Sequence, residues 1–443
     1  MKMDTNEQRQ ENQQDKREER RRRRKRSQMI AYTLVGILIL ILAAAIALAV
    51  SAITSRSSIQ QEQQTKLDEI LSSEETIEVP TEPVETVQEM TDEQKLDKII
   101  DEAIIQNMPL EDKVAGLFIT TPESITGVSA AVQAGDGTKD ALSKYPVGGI
   151  VYAAKNIQSA DQLKQMIDNT KLYTSYPLFI AIDGEGSGTD AVAAAGLGTK
   201  TDSPETIGAS GDVNNAYTAG TTVGSYLAEL GFNLDFAPAA DLKVVDGNAA
   251  GSSSYGSEAD KVASFVGYMQ AGLQEQKVTA CIGQFPGIGS STQSTKDGMA
   301  STDRSTEDFR ANEFAAFQTC IDNGMTKMIR ISNMAAPSLT GDNTPCTFSS
   351  AVVTDILRNE LNFRGVIVSG VMNEAAISNY YGADEAAVLA LRAGCDMIYA
   401  PENFETAYNG VLEAVQNGTI SEERVNDSLR RIYRIKYADK LEQ

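Results

Sequence analysis

Eight short apolar runs recur between residues 116 and 400, separated by longer amphipathic stretches, and that alternation limits the architecture more than any other feature. The runs are "GLFIT" (116–120), "GGIVY" (148–152), "LFIAID" (178–183), "NLDFAP" (233–238), "VTACIG" (278–283), "KMIRIS" (327–332), "GVIVS" (365–369) and "DMIYA" (396–400). Between them, stretches such as "SADQLKQMIDNTKLY" and "EADKVASFVGYMQAGLQEQ" place apolar residues at helical spacing. Strand–helix alternation builds a parallel sheet, either open and doubly wound or closed on itself. Eight units over roughly 340 residues favour closure, so the expected fold is α/β, a (β/α)8 TIM-barrel-like single domain with its site at the carboxyl ends of the strands. Nothing repeats at a fixed short period, which sets a solenoid aside.

This body is expected from residue 96 to 443, behind three segments of different character. Residues 54–95, centred on "SSEETIEVPTEPVETVQEMTDEQ", are polar and acidic and read as a disordered stalk. Residues 29–53 are 25 consecutive uncharged residues, enough for a transmembrane helix across a ~30 Å hydrocarbon core. Residues 1–28 form a basic tail whose Arg/Lys cluster directly precedes that span. The positive-inside rule therefore predicts a single-pass membrane protein, N-terminus cytoplasmic and C-terminal domain extracytoplasmic. Val50-Ser51-Ala52 offers a small-residue cleavage site, so a cleaved leader is the competing reading. The length of the basic leader and of the apolar run favours the uncleaved anchor.

Charge follows the same division. The chain carries −22, yet residues 1–28 hold 11 Lys/Arg against 6 Asp/Glu, which leaves about −27 on the remainder. An acidic body argues against nucleic acid as a partner, because phosphates need a basic face.

The chain contains no histidine. That removes Ser-His-Asp and Cys-His catalysis, imidazole metal ligands and any histidine acid or base. The four cysteines show no C-x-x-C spacing, leaving buried thiols or a disulfide as alternatives. Neither "GEGSG" nor "GQFPGIG" fits a phosphate-binding loop pattern, and no calcium loop is present, so no cofactor and no metal are expected. At the end of the third run, Asp183 and Glu185 fall at the rim of a barrel, where carboxylates can hold hydroxyls or cap a helix.

Blocks along the body resemble a known family. "MPLEDKVAGLFIT", "YPVGGIVYAAKNIQS", "FIAIDGEG", "LGFNLDFAPAADL", "FPGIG", "PCTFSSAVVTDILRNELNFRGVIVSG", "AGCDMIYAP" and "NGTISEERVNDSLRRIYRIK" occur in an order similar to the N-terminal barrel of glycoside hydrolase family 3, of the single-domain β-N-acetylhexosaminidase type. The resemblance implies retaining hydrolysis of β-glycosides through a carboxylate nucleophile.

The same resemblance implies that the reactive positions are degenerate. The nucleophile, an Asp directly after the serine that ends strand seven, is replaced by Gly370. The Asp-Ser-His segment carrying the acid/base corresponds to Ser294, Thr295 and Lys296. The family's Lys-His-Phe-Pro-Gly-His-Gly becomes Gly283 to Gly289, with Gln284 in place of the first histidine. A sugar-contacting arginine becomes Ser253, and a histidine after strand six becomes Asn333. No catalytic residue is expected at these positions; Glu374 and Glu185 are the candidates for a relocated carboxylate pair, and Asp183, Glu185, Gln284 and Asn333 for ligand binding. The expected function is a catalytically inactive, membrane-anchored pseudo-glycosidase that holds a cell-wall glycan or an envelope protein. The alternatives are an active glycosidase with relocated carboxylates and an acidic module that binds cations or basic proteins.

Overall fold

A computed structural model describes residues 91–184 and 190–438. The basic tail, the apolar span 29–53, most of the acidic segment 54–95, and Glu185 lie outside the described residues. Among the described residues no helix is long and apolar enough to cross a membrane.

The eight apolar runs become eight parallel strands hydrogen-bonded in sequence order into a closed barrel. They are β1 (Phe118–Thr120), β2 (Gly149–Tyr152), β3 (Phe179–Ile182), β4 (Leu234–Asp235), β5 (Thr279–Phe285), β6 (Met328–Ile331), β7 (Val366–Val371) and β8 (Met397–Tyr399). Closure is direct: Phe118 of β1 is in register with Ile398 of β8. Strands buried on both faces need continuous apolar runs rather than alternation, and that is how "FIAI" and "VIV" read. Two strands run longer than the others. β5 and β7 each shift register against a neighbour, between Ile282 and Phe285 and between Val368 and Val371, at the carboxyl end where the site is expected.

The helices follow from their caps and apolar stripes. Ser159 and Gln162 form a reciprocal capping box that starts Ala160–Tyr173, which buries Leu163, Met166, Ile167 and Thr170 against the barrel. A second capping box, Thr91 with Gln94, starts helix Asp92–Ala103, the first among the described residues. Helices Asn214–Leu230 and Ala259–Glu275 touch backbone to backbone, since a Cβ on Gly220 would lie 2.4 Å from the Met269 carbonyl oxygen.

The amino-terminal end of the barrel is braced by charge. Asp396, fully buried ahead of β8, meets Arg358 at 2.8 Å and Arg431 at 2.9 Å and accepts the Ile367 N–H. Burial works against its charge, but the three neighbouring arginines, Arg424 included, hold the carboxyl below the usual carboxylate range. Helix Glu422–Lys436 is also tied to helix Asp92–Ala103, Arg430 meeting Asp101 at 2.9 Å. All four cysteines are buried thiols, with Cys320, Cys346 and Cys395 pushed up to about 12 by burial.

Candidate functional site

The carboxyl ends of β5, β6 and β7 open into a cleft enclosing about 610 Å³ of space, mouth included. Asp241, Ser253, Gln284, Lys296, Met334 and Glu374 are among the side chains on its walls. Its floor loop is the "FPGIG" turn, and backbone geometry explains its glycines. A Cβ on Gly289 would lie 1.7 Å from the Leu242 carbonyl oxygen, and Gly287 holds φ +126° with Glu313 close behind it. Asp241 fixes the turn by accepting the N–H groups of Gln284 (3.2 Å) and Ile288 (2.8 Å).

On the β3 side, Asp183 accepts from the guanidinium of Arg330 at 3.0 Å and from the Tyr399 hydroxyl at 3.3 Å. Arg330 leaves the middle of β6 and is only 2% exposed, whereas the Asp183 side chain is 37% exposed. The guanidinium lies over Phe236 and Tyr399, whose rings stack at 4.3 Å. Directly beneath, Asp235 is fully buried and accepts the Gly184 N–H at 3.0 Å. Burial first, then the charges of Asp190 and Asp183, push its carboxyl well above the usual carboxylate range.

On the β7 side the expected carboxylate is absent and its space is filled. A Cβ built on Gly370 would lie 1.9 Å from Oδ1 of Asn333, which projects across from the end of β6. Gly370 does not use the left-handed backbone region, so its conformation would tolerate a side chain; Asn333 is what stands in the way. Asn333 is 1% exposed, and its Nδ2 donates to the Val371 carbonyl (2.8 Å) and to Oε2 of Glu374 (3.0 Å). Its Oδ1 has no hydrogen-bond partner among the described residues.

The structure thus gathers most of the positions singled out in the sequence. Gln284, Lys296 and Glu374 share one cleft, Ser253 faces it, and Asn333 lies buried behind Glu374. Glu374 caps the short helix Ala375–Ser378 from inside the cleft wall, and the Ala376 N–H bonds to the Thr295 carbonyl at 3.0 Å, tying the loop of Lys296 to it. Asp183 stands apart from this group on the Arg330 side, and Glu185 falls outside the described residues. Among the described residues no cluster of His, Cys, Asp and Glu is arranged to hold a metal. Sequence reading missed Arg330 and Asp241. The signal for Arg330 was visible: a lone charge inside the apolar run "KMIRIS".

Comparison with known proteins decides the ancestry of this arrangement. The sequence profile described as "Glycosyl hydrolase family 3 N terminal domain" matches residues 110–435. The chain belongs to glycosyl hydrolase family 3. Among family 3 relatives, a "Beta-hexosaminidase" of Nitrosomonas eutropha is 31% identical over 263 residues, 58% of this chain and 74% of that protein. A solved family 3 β-N-acetylglucosaminidase from Paenibacillus sp. superposes with a TM-score of 0.71 at 29% identity, over 76% of this chain and 64% of that one. A β-N-acetylhexosaminidase from Beutenbergia cavernae gives 0.65 at 26% identity, over 74% of this chain and 99% of its own. This family 3 chain thus spans just under two thirds of the Paenibacillus protein, while its barrel accounts for nearly all of the Beutenbergia one.

Proposed function

We propose that this family 3 barrel is a pseudo-glycosidase that binds a cell-wall glycan without hydrolysing it by the family's route. The observation that carries the reading is Asn333 occupying the space beside Gly370, where the resemblance puts the nucleophile. A neutral amide there neither attacks an anomeric carbon nor holds an ionised carboxylate in its place. The acid/base segment offers Lys296 on the cleft wall where the family has a histidine. An acid/base group contributes about 10²–10⁴-fold, and loss of the nucleophile comes on top of that.

A glycan is the ligand because the cleft wall is made of amides, hydroxyls and isolated charges, the donors and acceptors that suit sugar hydroxyls. The names of the relatives point to N-acetylated amino sugars. The span 29–53 holds the barrel at the outer face of the membrane, the basic tail stays in the cytoplasm, and the acidic segment 54–95 spaces the two.

Calorimetric titration of the full-length chain with a β-1,4-linked N-acetylglucosamine oligosaccharide tests this. The expected result is saturable binding that changes little between low and high salt and weakens in Gln284→Ala. No binding would turn the reading toward an envelope protein, and binding that collapses with salt toward the acidic surface.

One observation favours a second reading. Glu374 lines the cleft and is held by Asn333, so a carboxylate is present close to the vacated position. Ancestry alone speaks equally for an active hexosaminidase built on that carboxylate. Hydrolysis that vanishes in Glu374→Gln would establish it.

A further inference from the structure

The end of the barrel opposite the cleft holds a second cavity. The starts of β3, β4, β5 and β6 and the last turn of helix Glu422–Lys436 enclose about 650 Å³, open to solvent. Lys277, Lys327 and Lys436 line it from three separate elements: the turn before β5, the residue before β6 and the closing helix. Among the described residues no Asp or Glu lines it, although the chain as a whole carries −22. Three lysines on one hollow of an acidic protein make a local concentration of positive charge that suits an anion.

The surroundings of each lysine point the same way. The Lys436 amine donates to the Gly148 carbonyl at 2.8 Å and lies over the rings of Phe179 and Tyr433, at 4.8 and 5.4 Å from their centroids. It has no carboxylate partner among the described residues, and burial pushes its ammonium down to about 7. An anion beside it would restore the charged form. Lys277 takes the left-handed backbone at φ 61° because it ends helix Ala259–Glu275, the Val278 N–H reaching back to the Leu273 carbonyl, and that turn sets it at the cavity wall. Thr279, half-buried at the start of β5, adds a hydroxyl to the same wall.

We propose that this amino-terminal mouth is an anion site that takes a phosphate group. Compact ammonium charges on flexible stems can surround a tetrahedral anion, whereas planar carboxylates are more often gripped by an arginine fork, and among the described residues no arginine lines this cavity. The phosphate is either a free ion or the diester of a lipid headgroup or polymer, and the two differ in charge and in the number of free oxygens. The site is independent of the sugar cleft, so neither stands or falls with the other.

The test uses the full-length chain in nonionic detergent, with inorganic phosphate in one arm and glycerophosphoglycerol in the other, against chloride at constant ionic strength. Thermal melting should shift upward and titration should saturate. Lys277→Asn together with Lys327→Gln should weaken binding by about tenfold or more, while Lys164→Gln on the outer surface leaves it unchanged. Asn is chosen at 277 because it tolerates the left-handed backbone. A stronger response to inorganic phosphate assigns a soluble ligand, and a stronger response to the diester assigns a headgroup or polymer. The proposal is overturned by no response in either arm or by a response equal in the double variant. It is overturned equally by a response that appears only after residues 439–443 are deleted, which would assign the lysines to the chain's own terminal carboxylates.

Discussion

Gly283 on β5 and Gly370 on β7 flank β6, and each stands where the family resemblance puts a charged side chain, a lysine at 283 and an aspartate at 370. In both cases the neighbouring strand has moved into the gap, but with different chemistry. Beside Gly283, Arg330 fills the space at ordinary contact distance, its Cβ 3.5 Å from where a side chain would begin, and carries a cation to Asp183. Beside Gly370, Asn333 intrudes to 1.9 Å and carries no charge. One neighbour brings a charge to the barrel mouth and the other brings none. Neighbouring strands aim their side chains at the same interior, so the residue that faces each glycine sets the local charge of the barrel mouth.

The comparison breaks most sharply at Arg330. Arg330→Met should leave the partly exposed Asp183 without this cation and strip the Phe236–Tyr399 stack of its guanidinium, costing about 3 kcal/mol in urea unfolding. Adding Gly283→Lys to that variant should recover much of the loss, since the space Arg330 vacates is the one a lysine would enter. Next in size, Gly370→Asp alone should destabilise by about 1–3 kcal/mol through overpacking against Asn333, and the pair Gly370→Asp/Asn333→Gly should relieve it. Only the double variant should gain slow hydrolysis of an activated aryl glycoside, whose leaving group needs little acid assistance.

A smaller effect sharpens the account of the floor loop. Burial pushes the Glu313 carboxyl up to about 7 even beside Arg304, and Gly287 of the turn packs on it. The folded form therefore holds a proton that the unfolded chain releases near pH 4.5. Its contribution to stability is complete below that value and is lost as pH rises toward 7. Melting temperature in Glu313→Gln should fall less between pH 5 and 7.5 than in the natural chain.

The frame was legible because it is written locally. Each strand run, each capping residue and the "FPGIG" turn state their conformation in a few consecutive residues, and strand order followed from the alternation. What occupied the vacated space could not be read. Arg330 and Asn333 are remote in sequence from Gly283 and Gly370, and only barrel closure brings them side by side. The same holds for Glu374: its place after a strand left it equally able to face solvent or cleft. Its position in the cleft wall rests on one hydrogen bond from Asn333 and one tie from the loop of Lys296.

The most direct test of the central claim is hydrolysis of a fluorogenic β-N-acetylglucosaminide by the full-length chain at high protein concentration, beside Glu374→Gln. The account predicts release in the natural chain no faster than in the variant, because Asn333 fills the nucleophile's place. Release that is clearly faster in the natural chain and disappears in Glu374→Gln would contradict it and make Glu374 the carboxylate of a working glycosidase.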